Sequence, residues 1–211
     1  MDIRNAPDAP TRTPAFFESA PRIRMQDALA DTLGAVQDGV IEYTYLDAVK
    51  LCGHSCPTVA GAWLMTKAAL ARLYGEELPR RGEVKVELRE PEDAGVAGVI
   101  ASVAGLVTGA AGAGGFKGLA GRHARRALLH FGVPMQADMR FTRVDSGRQV
   151  EVSFDSAVAP RPANLRTAMQ AALAPHATSG QREAFGQAWQ AWVRTILLEH
   201  ADDPGLVTLR S

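Results

Sequence analysis

The stretch ADMRFTRVDSGRQVEVSF, residues 137–154, decides the fold class of this 211-residue chain. Apolar and polar residues alternate over 137–142 and again over 149–154, as they do in strands that bury one face. Between these runs, the sequence DSG at 145–147 supplies the residue types of a tight turn. The stretch therefore predicts a β-hairpin, whose two strands are antiparallel.

Outward from the hairpin, the chain predicts one clear strand, one short β-rich segment and several helices. Residues 84–89, VKVELR, alternate as a strand does, and residues 40–45 predict a short strand or the start of a helix. The spacing of apolar residues predicts helices over 23–36, 57–75, 94–107, 122–131, 164–173 and 179–199. Because strands and helices do not alternate strictly, the predicted fold class is α+β, with an antiparallel or mixed sheet.

The chain divides into three predicted segments. Residues 1–21 are predicted to be a flexible lead-in, residues 22–157 an α+β core, and residues 158–211 a helical extension packed on that core. The lead-in lacks the basic start and apolar centre of a secretory signal, so we expect a cytoplasmic protein. Residues 96–113 are uncharged but rich in Gly and Ala, which favours a buried helix leading into a glycine-rich loop over a membrane span.

Composition narrows the range of partners. Lysines plus arginines number 23 and aspartates plus glutamates number 23, so the chain has no net charge to attract nucleic acid or anionic membrane. We therefore expect neither as a partner, and a metal ion or small molecule instead. Trp189 and Trp192 lie on one face of the last predicted helix, which suits either the core of a monomer or a homodimer interface.

The cluster CGHSCP at residues 52–57 is the strongest chemical signal in the sequence. Cys52, His54 and Cys56 are three candidate metal ligands within five residues, and thiolate with imidazole suits zinc first and iron second. Pro57 fits the first turn of a helix, which places Cys56 at the positive end of that helix. That position favours a thiolate as metal ligand, redox group or nucleophile.

Other interpretations of the cluster stay open at this point. The pair Cys56-Pro57 is of a type found at haem-sensing sites, where the thiolate binds iron. A thiol-dependent enzyme could use Cys56 as nucleophile with His54 nearby, although neighbours on a short loop often point apart. Both cysteines could also be buried apolar residues of a core without chemistry.

The residues from Gly53 to Met65, GHSCPTVAGAWLM, resemble the opening motif of the FmdE family, which takes its name from formylmethanofuran dehydrogenase. The resemblance continues through the strand 84–89, a helix ending at Thr108-Gly109 and the loop GFKGL at 115–119. It covers roughly residues 46–154 and implies that family's α+β core, with a metal site at the cysteine cluster. It does not imply methanofuran chemistry, because a shared fold does not establish a shared function.

The chain departs from the family pattern at several positions. The family has histidine where Cys52 stands and glycine where Thr58 stands. The family also has a cysteine and an aspartate on the later helix and a cysteine after it. This chain has Val99, Ser102 and Ala110 near or at those positions, so the family's residues are missing. The carboxyl-terminal zinc finger of some members is replaced here by helices. Activity that depends on those residues is not expected, while Cys52 adds a soft ligand that could rebuild the site.

Two further residues are candidates for cofactor binding. Lys117 lies in the glycine-rich stretch, where backbone amides and a lysine can hold an anion, although the P-loop pattern is absent. His130 closes the predicted helix 122–131 and could cap that helix or act as a ligand recruited to the cysteine cluster.

Overall fold

A computed structural model describes residues 12–210, so the first eleven residues of the predicted lead-in lie outside the described residues. The architecture is α+β, as predicted, with one mixed sheet of five strands and a separate antiparallel pair. The strands are β1 Ile23–Gln26, β2 Val40–Tyr43, β3 Val84–Leu88, β4 Leu129–His130, β5 Met139–Arg143, β6 Gln149–Phe154 and β7 Val207–Arg210. The helices are α1 Ala28–Thr32, α2 Tyr45–Cys52, α3 Pro57–Tyr74, α4 Ala97–Thr108, α5 Leu165–Ala172 and α6 Ser179–Arg194.

The predicted hairpin forms the centre of the larger sheet, whose strand order is β4-β3-β5-β6-β7. β5 pairs antiparallel with β6, and Phe141 lies opposite Val150. β3 pairs antiparallel with β5 and parallel with β4. Alternation along β3 and β5 buries Val86 and Phe141 completely. The alternation of apolar and polar residues along these strands therefore determines which face of the sheet is buried, as the sequence predicts.

Ion pairs occupy the opposite face of the sheet. Lys85 pairs with Glu87 at 3.1 Å, Arg140 lies 3.8 Å from Glu87, and Arg140 pairs with Glu151 at 2.6 Å. These side chains alternate with the apolar ones along the same strands. The same strand pairing therefore places the apolar residues on one face of the sheet and the ion pairs on the other.

Helix α3 is the central helix of the core. Trp63, Leu64 and Met65 are almost completely buried, and the indole N–H of Trp63 donates to the Pro21 carbonyl at 2.8 Å. The helix begins at Pro57 and is followed by Gly75, as predicted. Proline suits the first turn of a helix, and glycine commonly follows its last turn. Its buried length positions the cysteine cluster at the edge of the core.

The prediction of one helix over 23–36 is wrong. Residues 23–26 form strand β1 paired with β2, and only α1, five residues long, is helical. The break comes at Asp27, whose carboxylate accepts the backbone N–H groups of Leu29 and Ala30 at 3.0 Å and so starts a new helix. The alternative of a strand over 40–45 is confirmed for 40–43.

The predicted basic helix over 122–131 is also wrong. This segment is a loop with a β-bridge between Leu119 and Arg122, followed by the short strand β4. His123 and Ala127 have positive φ angles of 60° and 56°, which a right-handed helix excludes. His130 therefore closes no helix. The helix predicted over 94–107 is confirmed as α4, and it leads into the glycine-rich loop.

The two ends of the described chain pack on the core more closely than predicted. Within the lead-in, Ala15–Ser19 forms a 3₁₀ helix that buries Phe17 edge-on against Tyr45, at 5.2 Å between ring centres. These residues of the predicted lead-in are therefore packed against the core. In the extension, α6 continues into a π-helical turn over Thr195–Glu199, and the unpredicted strand β7 joins the sheet beside β6.

No helix within residues 12–210 is both long enough and apolar enough to cross a membrane.

Candidate functional site

The cysteine cluster forms the short connection between α2 and α3, which we call the Cys loop, residues 52–57. Cys52 is the last residue of α2 and Gly53 follows it with a left-handed φ of 73°. A side chain at Gly53 would meet no atom within 4 Å, so the glycine is needed for its backbone conformation. Gly53 thus turns the chain sharply at the end of α2.

Cys56 is the N-cap residue of α3, as the sequence predicts. Its sulfur accepts the backbone N–H of Val59 at 3.5 Å, and the residue is only 9% exposed. The N–H donor and the positive end of an 18-residue helix both favour negative charge on this sulfur. Cys56 is therefore the sulfur of the loop best placed to act as an anionic ligand.

Cys52 is half-buried, and both cysteines are free thiols. Burial raises the pKa of the Cys52 thiol, and negative charge on Cys56 raises that pKa further. Charge on Cys56 therefore acts on the Cys52 thiol. A cation bound between them would reverse this effect, because it would stabilise both thiolates.

The raised pKa of Cys52 predicts slow alkylation near neutral pH, because only the thiolate reacts. With reductant and chelator present, alkylation of Cys52 by iodoacetamide, followed by mass spectrometry across a pH series, should show a midpoint above the ordinary value of 9.0. Cys56→Ser should lower that midpoint, since it removes the neighbouring charge, and urea-unfolded protein serves as the control. A midpoint at or below the ordinary value would contradict the assignment.

His54 is exposed on the Cys loop. Its Nδ1 lies 2.9 Å from the Cys52 carbonyl oxygen, which orients the ring and leaves Nε2 for another partner. Histidines that bind metals are commonly held in this way through the other ring nitrogen.

Ser55 anchors the Cys loop from two sides. Its hydroxyl lies 3.0 Å from the hydroxyl of Tyr45, which is fully buried and whose pKa burial raises. Its carbonyl accepts the indole N–H of Trp189 at 3.0 Å and the amide of Gln190 at 3.1 Å. The extension therefore holds the loop in place, a contact that no local sequence pattern indicates.

The three predicted ligands lie on one loop, but their side chains do not converge on a common metal-binding position. Within residues 12–210, no three His, Cys, Asp or Glu side chains are grouped so that they could hold a metal ion. The donor types still suit zinc or iron, because two thiols and one imidazole are present.

A cavity of about 390 Å³ opens beside the first turn of α3. Because Pro57 follows Cys56 directly and lines this cavity, the Cys loop borders it. Arg89 at the rim is neutralised by Asp138, 3.1 Å away, and by Glu90, also 3.1 Å away. The walls are mostly apolar and include Met65, Leu88, Val96, Ile100 and Phe154. Such a space suits a small, largely apolar molecule.

The two predicted cofactor-binding residues lie apart from this cavity. Lys117 is exposed in the glycine-rich loop, and His130 lies on β4 with Nε2 3.0 Å from the Ala127 carbonyl oxygen. Neither residue lines the cavity beside α3. The structure therefore brings neither of them to the cavity that the Cys loop borders.

A buried ion cluster, missed by sequence reasoning, fastens the glycine-rich loop. The carboxylate of Asp27 accepts from Arg125 at 2.6 and 2.8 Å and from Arg81 at 3.1 Å. The three side chains are 3%, 13% and 17% exposed, respectively. Burial, followed by the Asp27 charge, raises the pKa of nearby Tyr43 to about 12. One carboxylate thus serves two guanidinium groups that are distant in sequence.

Comparison with models of known protein families finds no match for this chain. Comparison with curated protein sequences finds no significant match.

Proposed function

We propose that the chain binds a zinc or iron ion through Cys52, His54 and Cys56, and that the apolar cavity beside α3 receives a small molecule next to the bound ion. The observation that supports this most directly is the placement of two free thiols and an exposed imidazole on one loop. A cation is the partner that relieves the repulsion between two thiolates, and these donors suit a borderline metal.

Binding requires the side chains of the Cys loop to converge on the ion. The exposed position of His54 leaves its ring room to move, and the N–H of Val59 already stabilises charge on Cys56. Because thiols must lose their protons to bind a metal, binding should release protons and strengthen as pH rises. The open part of the coordination shell would then face a ligand or water.

The proposed relation to the FmdE family core agrees with this location of the site at the start of a central helix. The departures at Cys52, Val99, Ser102 and Ala110 indicate a site rebuilt around two loop thiols instead of the family's ligands. We propose a redox or an accessory role for the ion. The small molecule that fills the cavity beside α3 would distinguish the two roles. Free thiols also suit the reducing conditions of the cytoplasm, the proposed location.

Cobalt titration tests the metal proposal. Reduced, chelator-treated protein should develop a thiolate-to-cobalt charge-transfer band that saturates at one Co²⁺ per chain and disappears when Zn²⁺ is added. Cys52→Ser and Cys56→Ser should each weaken cobalt affinity by on the order of 100-fold, and His54→Ala should weaken it by about tenfold. His176→Ala, at an exposed histidine outside the loop, is the matched control and should bind as the wild type does.

Two results would overturn the metal proposal. One is the absence of the charge-transfer band with both thiols reduced, and the other is equal cobalt affinity in wild type and Cys56→Ser. Elemental analysis and an absorption spectrum of protein purified without added metal separate the alternatives. A Soret band lost in Cys56→Ala would favour haem. Protein that purifies without metal and binds no cobalt, yet shows fast alkylation of Cys56 near neutral pH, would favour a thiol-dependent enzyme.

A further inference from the structure

A second cavity lies between the helices of the extension. It has a volume of about 390 Å³ and lies where α6 faces α5 and the segment preceding α5. We call it the tryptophan cavity, after the two indoles that form its wall. Its lining includes Arg161, Leu165, Arg166, Met169, Trp189 and Trp192.

The two indoles are fixed in position by their own hydrogen bonds. Trp189 donates its ring N–H to the Ser55 carbonyl at 3.0 Å, and Trp192 donates to the Ala159 carbonyl at 3.2 Å. The rings meet nearly at right angles, with 5.9 Å between their centres. Both N–H groups are already used, and Trp192 is buried, so the half-buried ring of Trp189 offers a ligand apolar surface, which favours a flat aromatic partner.

The charge of the tryptophan cavity has one sign. Arg161 and Arg166 contribute two positive charges, and no residue among the described ones that line the cavity is acidic. The guanidinium carbon of Arg161 lies over the Trp192 ring, 4.7 Å from the ring centre, which holds this cation beside the aromatic wall. A ligand that filled the cavity would therefore meet aromatic surface and uncompensated positive charge together.

We propose that the tryptophan cavity binds a small organic anion with a flat aromatic body. The acidic group lies against Arg161 and Arg166, where guanidinium groups can donate paired hydrogen bonds to a carboxylate or sulfonate. The ring lies against Trp189 and Met169. This site is separate from the proposed metal site and does not depend on a bound ion, although Trp189 contacts both the cavity and the Cys loop.

Probes of one shape and different charge test the proposal. Isothermal titration with 2-naphthoate should show one saturable site with a Kd on the order of 1 mM or tighter. The cation 2-naphthylmethylammonium should bind at least about tenfold more weakly, because the two guanidinium groups repel it. Added salt should weaken 2-naphthoate binding.

Indole resonances locate the bound probe. In a ¹⁵N–¹H correlation spectrum, 2-naphthoate should shift the ring N–H signals of Trp189 and Trp192. The signal of Trp63, which is fully buried in the core, should stay in place and acts as the internal control. Trp→Phe variants assign the three signals.

Charge-removing variants complete the test. Arg161→Gln combined with Arg166→Gln should weaken 2-naphthoate binding about tenfold and lower the melting temperature only slightly, because both residues are exposed and the contact of Arg161 with the Trp192 ring is lost. Arg148→Gln, at an exposed arginine in the β5–β6 turn, is the matched control and should bind as the wild type does. The proposal is overturned by absent 2-naphthoate binding, by equal binding of the cationic probe, or by shifts confined to Trp63.

Discussion

Replacing Asp27 with asparagine should lower the free energy of unfolding by about 3 kcal/mol, because it leaves two largely buried guanidinium groups without a counter-ion. The amide oxygen of the asparagine can still accept the N–H groups that cap α1, so the loss reports the charge and not the cap. Urea unfolding followed by circular dichroism measures the change as a shift in midpoint at constant slope. Asp31→Asn, at an exposed aspartate of the same helix, should change stability by less than about 0.5 kcal/mol.

Two guanidinium groups share one carboxylate in this cluster, so a double-mutant cycle can separate the effect of charge from that of packing. Arg125→Met should cost less than Asp27→Asn, because Asp27 would keep its pair with Arg81 at 3.1 Å. In the Asp27→Asn background, Arg125→Met should cost little or restore stability, since it removes a charge that lacks a partner. Additive losses in this double-mutant cycle would show that the cluster contributes through packing and not through charge.

Replacing Gly61 with alanine should destabilise the fold by about 1–2 kcal/mol, even though alanine favours a helix. A Cβ atom at Gly61 would lie 2.5–2.7 Å from ring atoms of Phe154, so α3 and the end of β6 would have to separate or the ring would have to turn. Because Phe154 also lines the cavity beside α3, the substitution should change the size of that cavity. Thermal and urea unfolding measure the loss.

Another helical glycine provides the matched control. A Cβ atom at Gly186, in α6, would meet no atom within 4 Å. Gly186→Ala should therefore stabilise the protein by about 0.5–1 kcal/mol, the usual gain from removing a helical glycine. If both alanine variants stabilised the protein, the close approach of α3 to Phe154 would be wrong. Phe154→Leu should recover part of the loss in the Gly61→Ala background, because it removes the crowded ring atoms.

The features of the candidate site that depend on residues close in sequence could be predicted from the sequence. The placement of Cys56 before Pro57 at a helix start, and the turn at Gly53, follow from local backbone preferences. The anchoring of Ser55 by Trp189 and Gln190 was not predictable, because these partners lie 134 and 135 residues away in sequence. Convergence of the three predicted ligands on an ion remains a prediction that metal titration tests.

The sequence by itself determined the α+β class, the central hairpin and the ends of α3, because alternation, turn residues and helix-end signals act over a few residues. The capping of α1 by Asp27 is also local, but only the tertiary structure decided which arginines hold Asp27 and how residues 207–210 fold. Asp27 is held by Arg125, 98 residues away, and β7 is a strand because it lies against the free edge of β6. Local propensity competes weakly with such pairing, since burying an ion pair or completing a sheet edge depends on partners brought together by folding.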